Sequence, residues 1–352
     1  MSTSCGDLWC ILAKYDVESL WRDDSTIDAL LAPYRMAVEA SLKEIREKDK
    51  KLSEVAFEFA ASSGKMLRPC IVLLSSEAVI GSYRKAIPIA LAYELAHTAS
   101  LTQDDIIDNS PTRHNKPTAH TKHGLTTAIL ISDMLIFEIF EQLSRYATSE
   151  PSTKRVATLI GYVAKAAKET AEGEYLEMLL MKKPEPSVND YLRLADLKTG
   201  SLFGAAAASG GLVGGARQSV VNDFYEFGRN LGISFQITDD ILDLTGKAEF
   251  MGKPMLKDMQ NKAANIVLIH ALVHASTQRK NLIRKLVARS EYGLADPVEV
   301  QDILDDLGSV EYASRFCVKH ASMARTRLNS LPETRAKHSL EELTYWLEGR
   351  RK

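Results

Sequence analysis

Long stretches of this 352-residue chain repeat apolar residues with the period of an α-helix, and this periodicity restricts the fold more than any other feature. The segments with apolar residues three to four positions apart are 35–61, 88–108, 124–147, 153–181, 189–208 and 219–245. Most of the eleven prolines fall between these segments, because proline fits the first turn of a helix but not its interior. Alternating Val-, Ile- and Thr-rich strands are absent from the sequence. We therefore predict an all-α fold.

Length and composition bound the number of domains. At roughly 100–200 residues per domain the chain suggests about two, although a single large helical domain fits equally well. Hydrophobic residues make up 45% and charged residues 26%, which is typical of a globular protein and excludes disorder as the main feature. The segment KKPEPS (182–187) is too short for a domain linker. The Gly-rich segment SGGLVGGAR (209–217) is predicted to be a connection after a helix.

Charge and cysteine content restrict the partners and the compartment. The net charge of −2 argues against nucleic-acid binding, which requires a basic excess. The four cysteines form no CxxC pair and are too sparse for a disulfide-stapled fold, so we predict a reducing compartment. The N-terminus does not have the basic n-region and unbroken apolar run of a signal peptide. The sequence also contains no stretch of 18 apolar residues, the length needed to span a bilayer. We expect a cytoplasmic protein without a transmembrane segment.

Two Asp-Asp-x-x-Asp units stand near the ends of apolar helical segments. The six aspartates are Asp104, Asp105 and Asp108 in LTQDDIIDNS and Asp239, Asp240 and Asp243 in FQITDDILDLTG. Residues three and four apart share a helix face, so the three carboxylates of each unit repel one another unless a cation neutralises them. Magnesium prefers carboxylate oxygens and commonly takes phosphates as further ligands. One such unit alone is equally well explained as a solvated helix end, whereas two copies favour a magnesium site.

Basic and polar residues accompany these units. They are Lys65 and Arg68 in SGKMLRPC, His97 in YELAHTAS, Arg113, His114, Lys116 and His120 in NSPTRHNKPTAH, Lys198 and Thr199 in LKTGSLFG, and Lys253 in MGKPMLKDM. Each basic residue alone is most simply a solvated surface cation. Together, beside two acidic units, they form the pattern of a protein that binds polyanions through metal ions and through direct charge-assisted hydrogen bonds.

With these residues laid out, the chain resembles the trans-polyprenyl diphosphate synthase family over roughly residues 35–350. The matching motifs, in order, are GKMLRP, ELAHTASLTQDDIIDNSPTRHNKPTAH, EGEYL, LKTGSLFG, GISFQITDDILDLTG and MGKPMLKD. The resemblance implies a single large helical domain with a central cavity, the isoprenoid synthase type I fold, usually as a homodimer. It also implies head-to-tail condensation of isopentenyl diphosphate onto an allylic diphosphate.

The resemblance assigns roles residue by residue. The metal ligands of the family match Asp104, Asp108 and Asp239, and its supporting or partial ligands match Asp105, Asp240 and Asp243. The allylic diphosphate site matches Arg113, Lys198 and Lys253, and the isopentenyl diphosphate site matches Lys65, Arg68, His97 and His114. The catalytic polar groups near the cation match Lys198, Thr199 and Gln236. The implied cofactor is Mg²⁺, as three ions with substrate bound, with Mn²⁺ as a substitute. The departing diphosphate can accept the proton, so no enzymic base is required.

The chain departs from the family pattern in three motifs. The family usually has Arg-Arg-Gly after the first acidic unit, and this chain has Arg113-His114-Asn115. His114 is a weaker, partly charged donor than a second arginine. Gln103 replaces a frequent histidine, and the lysine expected after GKPxxxD is Ala263, one residue after Lys262. These departures concern the contacts to isopentenyl diphosphate and leave the metal ligands intact.

Small residues precede the first acidic unit, where short-chain members of the family tend to carry an aromatic residue. Ala99 and Ser100 lie five and four positions before Asp104, so an elongating chain can pass them, and Tyr93 is a candidate for a deeper floor. We expect a product of about twenty carbons or more, although ordinary close packing also explains two small residues.

Two other functions stay open at this point. A terpene cyclase would carry one Asp-Asp-x-x-Asp unit and a different second metal motif, and a non-catalytic partner subunit would be expected to have degraded aspartates.

The spread of the motifs decides the number of domains. Because motifs from residue 64 to residue 258 must converge on one cavity, a single domain over 31–352 fits better than two domains. A helical N-terminal extension over 1–30 is predicted to precede it.

Overall fold

The structure is a computed structural model that describes residues 24–48, 52–60, 64–113, 116–183, 185–245, 256, 264–290 and 295–349. Its elements, in chain order, are α1 (Asp24–Lys48), α2 (Leu52–Ala60), α3 (Leu67–Ile80), α4 (Ile87–Ile107), β1 (Thr112–Arg113), β2 (Lys116–Pro117), α5 (Ala119–His123), α6 (Leu125–Ser149), α7 (Thr153–Leu180), α8 (Val188–Ala195), α9 (Ser201–Val213), α10 (Gln218–Thr245), α11 (Ile266–His274), α12 (Thr277–Ser290), α13 (Pro297–Asp306), α14 (Ser309–Arg327) and α15 (Arg335–Gly349). The described residues are thus almost entirely helical, and the all-α prediction is confirmed. The one sheet among them is the short antiparallel hairpin β1–β2.

Helix α9 lies at the centre of the bundle and packs against α3, α4, α7 and α10. Its residues are small or apolar on every side, as expected for a helix that is buried all round. The predicted connection over 209–217 was wrong for its first half, because the helix continues to Val213. A Cβ at Gly210 would lie 2.2 Å from the carbonyl oxygen of Val72 in α3. Close helix packing, rather than a turn, therefore explains this glycine.

The helix that carries Lys198 is interrupted. Ser187 and Asp190 form a reciprocal capping box that begins α8, and a π-helical turn over Asp196–Gly200 follows before α9. Single π turns in α-helical segments are frequently found at functional sites. Helix α9, which continues from this turn, contacts both α4 and α10, the two helices that carry the acidic units. Both units therefore belong to one helical bundle.

The N-terminal extension was predicted to cover residues 1–30. Residues 1–23 lie outside the described part of the chain, and α1 runs without a break from Asp24 to Lys48 across position 30, with Pro33 inside it. Helix α1 packs against α3, α4 and α15. Among the described residues, no helix combines the length and apolarity that crossing a membrane requires.

Candidate active site

The first acidic unit lies at the C-terminal end of α4, with Asp104 and Asp105 in the last turn and Asp108 directly after it. Asp105 is buried, and its Oδ1 accepts hydrogen bonds from Nε and Nη2 of Arg113, each at 2.9 Å. Asn109, at a φ of 49°, turns the chain out of the helix so that the β-hairpin brings Arg113 back. Carboxylates are unfavourable at the negative end of a helix dipole, and Arg113 offsets one of them. Asp104 is partly exposed and Asp108 exposed, so these two carboxylates remain accessible.

The second acidic unit lies in the last two turns of α10. Asp240 is buried, and its Oδ1 accepts from Nε2 of Gln236 at 2.9 Å while its Oδ2 accepts from the backbone N–H of Ile266 at 3.3 Å. Asp243 is also buried, whereas Asp239 is only half-buried. Both units therefore combine buried carboxylates with more accessible ones.

Lys198 stands between helices α4 and α7. Its Nζ lies 2.7 Å from Oε2 of Glu174 and 3.7 Å from Oδ2 of Asp104, and it also donates a hydrogen bond to Glu177. Burial disfavours the ammonium ion, yet the carboxylates of Asp104, Glu177 and Glu174 outweigh it and raise the pKa of Lys198. The lysine is therefore charged and bound to acidic neighbours from two other elements.

Thr199, the next residue, connects this lysine segment to the second acidic unit. Its Oγ1 donates to Oε1 of Gln236 at 2.8 Å, and the amide of Gln236 in turn donates to Asp240. Of the predicted catalytic residues, Thr199 and Gln236 thus form a hydrogen-bonded series that ends at Asp240 of the second unit. Lys198, the neighbour of Thr199 in the chain, forms an ion pair with Asp104 of the first unit.

Glu174 and Glu177 were not predicted as site residues, although Glu174 belongs to the family motif EGEYL. They are three residues apart on α7 and both reach Lys198, so their spacing on one helix face was the available signal. Burial, followed by the neighbouring Asp104 carboxyl, raises the pKa of Glu174 to about 8. Arg229 was also missed. It donates to Asp196 at the start of the π turn, at 2.6 Å from Nε, and so supports the lysine segment.

The described residues that were predicted to bind isopentenyl diphosphate contact different parts of the structure. Arg68, at the start of α3, lies with its guanidinium carbon 4.6 Å from the centroid of the Phe203 ring. Burial lowers the pKa of Arg68 to about 10, although Glu94 and Asp239 oppose that shift. Lys65 instead binds Asp24, and His97 lies half-buried on α4. The predicted residues His114 and Lys253, and the departures Asn115, Lys262 and Ala263, fall outside the described residues.

An apolar cavity of about 510 Å³ extends from the acidic residues into the bundle between α4, α6 and α7. Asp104 and Glu174 line it, and so do Ala99 and Ser100, the two residues predicted to set product length. Along α7 its lining extends from Ile160 to Met178, roughly 27 Å at 1.5 Å per residue. A cavity of this length suits an extended hydrocarbon chain.

The third residue predicted to set product length has a different position. Tyr93 does not belong to the lining of the 510 Å³ cavity. It is fully buried, and its hydroxyl forms a 2.8 Å hydrogen bond with Ser209 of α9. The described residues that line the cavity farthest from the acidic units instead include Ala96 of α4, Leu143 of α6 and Ile160 of α7.

Among the described residues, the carboxylates of the two acidic units do not form a preassembled ion site. Within the described ranges, no group of three His, Cys, Asp or Glu side chains is gathered in a way that would hold an ion. The accessible donors, Asp104, Asp108 and Asp239, are nevertheless hard carboxylate oxygens, which fit magnesium. Magnesium is usually held by one or two carboxylates together with substrate phosphates.

Comparison with known proteins identifies the family. The sequence model of the polyprenyl synthetase family matches residues 49–306. The chain belongs to this family. It is 34% identical over 280 residues to the short chain isoprenyl diphosphate synthase of Methanothermobacter thermautotrophicus, covering 79% of this chain and 84% of that protein. It is 31% identical to the geranylgeranyl diphosphate synthase of Methanosarcina mazei, covering 82% of this chain and 86% of that protein.

Solved structures of polyprenyl synthetases have the same fold. The geranylgeranyl pyrophosphate synthetase from Pyrococcus horikoshii superposes with a TM-score of 0.85 at 31% identity, covering 93% of this chain and 99% of that chain. A polyprenyl synthase from Caulobacter crescentus, complexed with calcium and isoprenyl diphosphate, gives 0.83 at 26% identity, covering 94% and 100%. The predicted isoprenoid synthase type I fold is confirmed, and as a polyprenyl synthetase the chain is a prenyltransferase.

Proposed function

We propose that the protein condenses isopentenyl diphosphate head-to-tail with an allylic diphosphate in a magnesium-dependent reaction, and that it releases a trans-polyprenyl diphosphate. One observation carries this proposal: Asp104 and Glu174, the two carboxylates that line one end of a long apolar cavity, both pair with Lys198. Charged groups for a diphosphate thus lie directly above space for a growing hydrocarbon.

The accessible carboxylates of Asp104, Asp108 and Asp239 would hold magnesium, as three ions with substrate bound, and Mn²⁺ is expected to substitute. When bound, magnesium supplies the charge that stabilises the departing diphosphate. The relative from Caulobacter crescentus, whose structure contains calcium and isoprenyl diphosphate, supports a divalent ion beside this class of substrate. Asp105 and Asp240, already bound to Arg113 and Gln236, orient the helix ends that carry the accessible ligands.

The chain's own residues have separate parts in the reaction. Lys198 and Arg113, with Lys253, bind the allylic diphosphate and stabilise the negative charge that develops as its C–O bond breaks. The oxygens of Thr199 and Gln236 face the allylic cation. Arg68, Lys65 and His97 hold isopentenyl diphosphate beside that cation, so that its double bond attacks the cationic carbon. The departing diphosphate then accepts the proton that the condensed isopentenyl unit loses, and the apolar lining of the cavity disfavours water beside the cation.

The cavity supports a product of about twenty carbons or more. Its volume lies within the roughly 300–1,000 Å³ of small-molecule sites, and Ala99 and Ser100 leave the entrance open. Relatives are named both as geranylgeranyl and as octaprenyl diphosphate synthases, so the relatives leave a wide range of lengths open. Product length in this chain therefore has to be measured.

We further propose that the enzyme acts as a cytoplasmic homodimer. An apolar face of α6 supports the dimer, since Phe137 is 64% and Phe140 59% exposed, beside the exposed Ile129 and Leu130. Exposed apolar patches of this kind mark association surfaces. Light scattering should give twice the mass of one chain. The free, buried thiols of Cys70 and Cys317 support a reducing location.

The deciding experiment uses the purified protein with magnesium, labelled isopentenyl diphosphate and a series of allylic diphosphates, and analyses the products by chromatography. We expect incorporation that chelation abolishes and added Mg²⁺ or Mn²⁺ restores. A cyclic hydrocarbon as product would indicate a terpene cyclase. Incorporation only after a second, active synthase is added would indicate a non-catalytic partner subunit. The six intact aspartates argue against both alternatives.

A further inference from the structure

The two ends of the described chain meet at Lys65. Asp24, the first residue of α1, accepts a hydrogen bond from Nζ of Lys65 on Oδ2 at 2.8 Å. Its other oxygen, Oδ1, accepts from the indole Nε1 of Trp346 in the last helix, α15, also at 2.8 Å. Nζ of Lys65 lies 5.4 Å from the centroid of the Trp346 ring. One carboxylate thus joins three elements that are far apart in the sequence.

These contacts fix a side chain that is otherwise flexible. Lysine has a long stem with several rotatable bonds, and fixing it in one conformation costs substantial rotamer entropy. Trp346 is only 1% exposed, so its indole is a rigid donor that orients the Asp24 carboxylate. That carboxylate, in turn, orients the ammonium group of Lys65. The ammonium has three donors, so donors remain for a further anion beyond Asp24.

The position of Lys65 gives this arrangement a consequence for substrate binding. Lys65 is 24% exposed and stands three residues before Arg68, with Met66 in a left-handed conformation, φ 49°, between them. The turn at Met66 begins α3 and sets the direction in which Lys65 leaves the backbone. A single carboxylate that also binds an indole N–H is a weak competitor for a multiply charged diphosphate. It therefore orients the lysine without blocking it.

We propose that Asp24 and Trp346 are positioning residues that hold the Lys65 ammonium ready for the diphosphate of isopentenyl diphosphate. This inference rests on the proposed function, because it requires Lys65 to bind that substrate. Without Asp24 the lysine is free to adopt other conformations, and fixing it again weakens substrate binding. The effect should therefore fall on the KM for isopentenyl diphosphate, and neither on kcat nor on the KM for the allylic substrate.

The test compares steady-state kinetics of the full-length enzyme with its Asp24→Asn, Asp24→Glu and Trp346→Phe variants. Asp24→Asn should raise the KM for isopentenyl diphosphate roughly five- to tenfold, within the range expected for immobilising one long side chain on binding. Trp346→Phe should raise it less, and Asp24→Glu should restore part of the loss. Asp28→Asn is the matched control, because Asp28 also lies on α1 and pairs with Arg35 at 2.8 Å but does not touch Lys65.

A double variant shows whether Asp24 acts through Lys65. In a Lys65→Ala background, Asp24→Asn should cause no further rise in KM. The inference is overturned if Asp24→Asn leaves the KM for isopentenyl diphosphate unchanged or lowers it, raises both KM values equally, or keeps its effect without Lys65. If Asp24→Asn does not fold, Trp346→Phe decides by the same criteria. Absence of turnover by the unaltered enzyme with every allylic diphosphate would instead defeat the proposed function, and the inference with it.

Discussion

Gly173 is the residue of α7 that faces the backbone of the Lys198 segment, and its replacement by alanine tests how that lysine is placed. A Cβ at this position would lie 2.6 Å from the backbone nitrogen of Lys198, 2.8 Å from its Cα and 3.0 Å from the carbonyl carbon of Leu197. Ordinary van der Waals contacts are 3.4–4 Å. All three neighbours are backbone atoms, so no side chain can rotate out of the way.

The size of the effect follows from two opposing contributions. To admit the methyl group, α7 and the π turn must separate by about 1 Å, and overpacking of this kind costs about 1–3 kcal/mol. Alanine in a helix interior stabilises the folded protein by about 0.5–1 kcal/mol relative to glycine. We therefore expect Gly173→Ala to lower the free energy of unfolding by about 1 kcal/mol, and by no more than about 2.5 kcal/mol. A shift of Lys198 by about 1 Å should also lower the rate of prenyl transfer about 100-fold.

Gly161→Ala is the control, since Gly161 lies on the same helix and a Cβ there would meet nothing within 4 Å. It should raise the free energy of unfolding by about 0.5–1 kcal/mol and leave the rate unchanged. The assays are urea unfolding and the initial rate with labelled isopentenyl diphosphate. If Gly173→Ala unfolds at the same urea concentration as Gly161→Ala and keeps the full rate, the close contact does not position Lys198.

Three further variants test other parts of the molecule. Ala99→Phe should narrow the apolar cavity and shorten the product, and an unchanged product distribution by chromatography would refute the assignment of that cavity as the elongation tunnel. Thr199→Val keeps the side-chain shape but removes the donor to Gln236, so we expect kcat to fall about tenfold or more. The Gln236 oxygen that loses its donor should lower the free energy of urea unfolding by about 1–3 kcal/mol. An unchanged kcat would remove Thr199 from the proposed mechanism. Asp190→Asn should weaken the capping box of α8 and cost about 1 kcal/mol. The hydrogen bond from Lys183 holds the pKa of Asp190 at about 2, below its ordinary 3.8, so this stability is full above pH 3.8 and is lost as the pH falls through about 2. A cost of Asp190→Asn that does not shrink over that range, measured by denaturant unfolding at several pH values, would contradict the assignment.

Helix positions were largely predictable, because the apolar period is a local property of the sequence. The predicted segments 88–108, 124–147 and 153–181 match α4, α6 and α7 within two residues. The prediction failed over residues 209–213, where glycine was interpreted as a turn signal. There the glycines allow close helix contacts in the core, and a one-dimensional pattern cannot distinguish the two uses of glycine.

The sequence by itself determined the all-α class, the family and the two acidic units, because an Asp-Asp-x-x-Asp spacing sets the shared helix face without any distant contact. Only the tertiary structure decided which carboxylates stay accessible: Arg113 reaches back to Asp105 through a hairpin. It also placed Glu174 beside Lys198 and joined Asp24 to Trp346, 322 positions away. Such pairs depend on how separate helices pack, and the periodicity of one helix does not specify its neighbours.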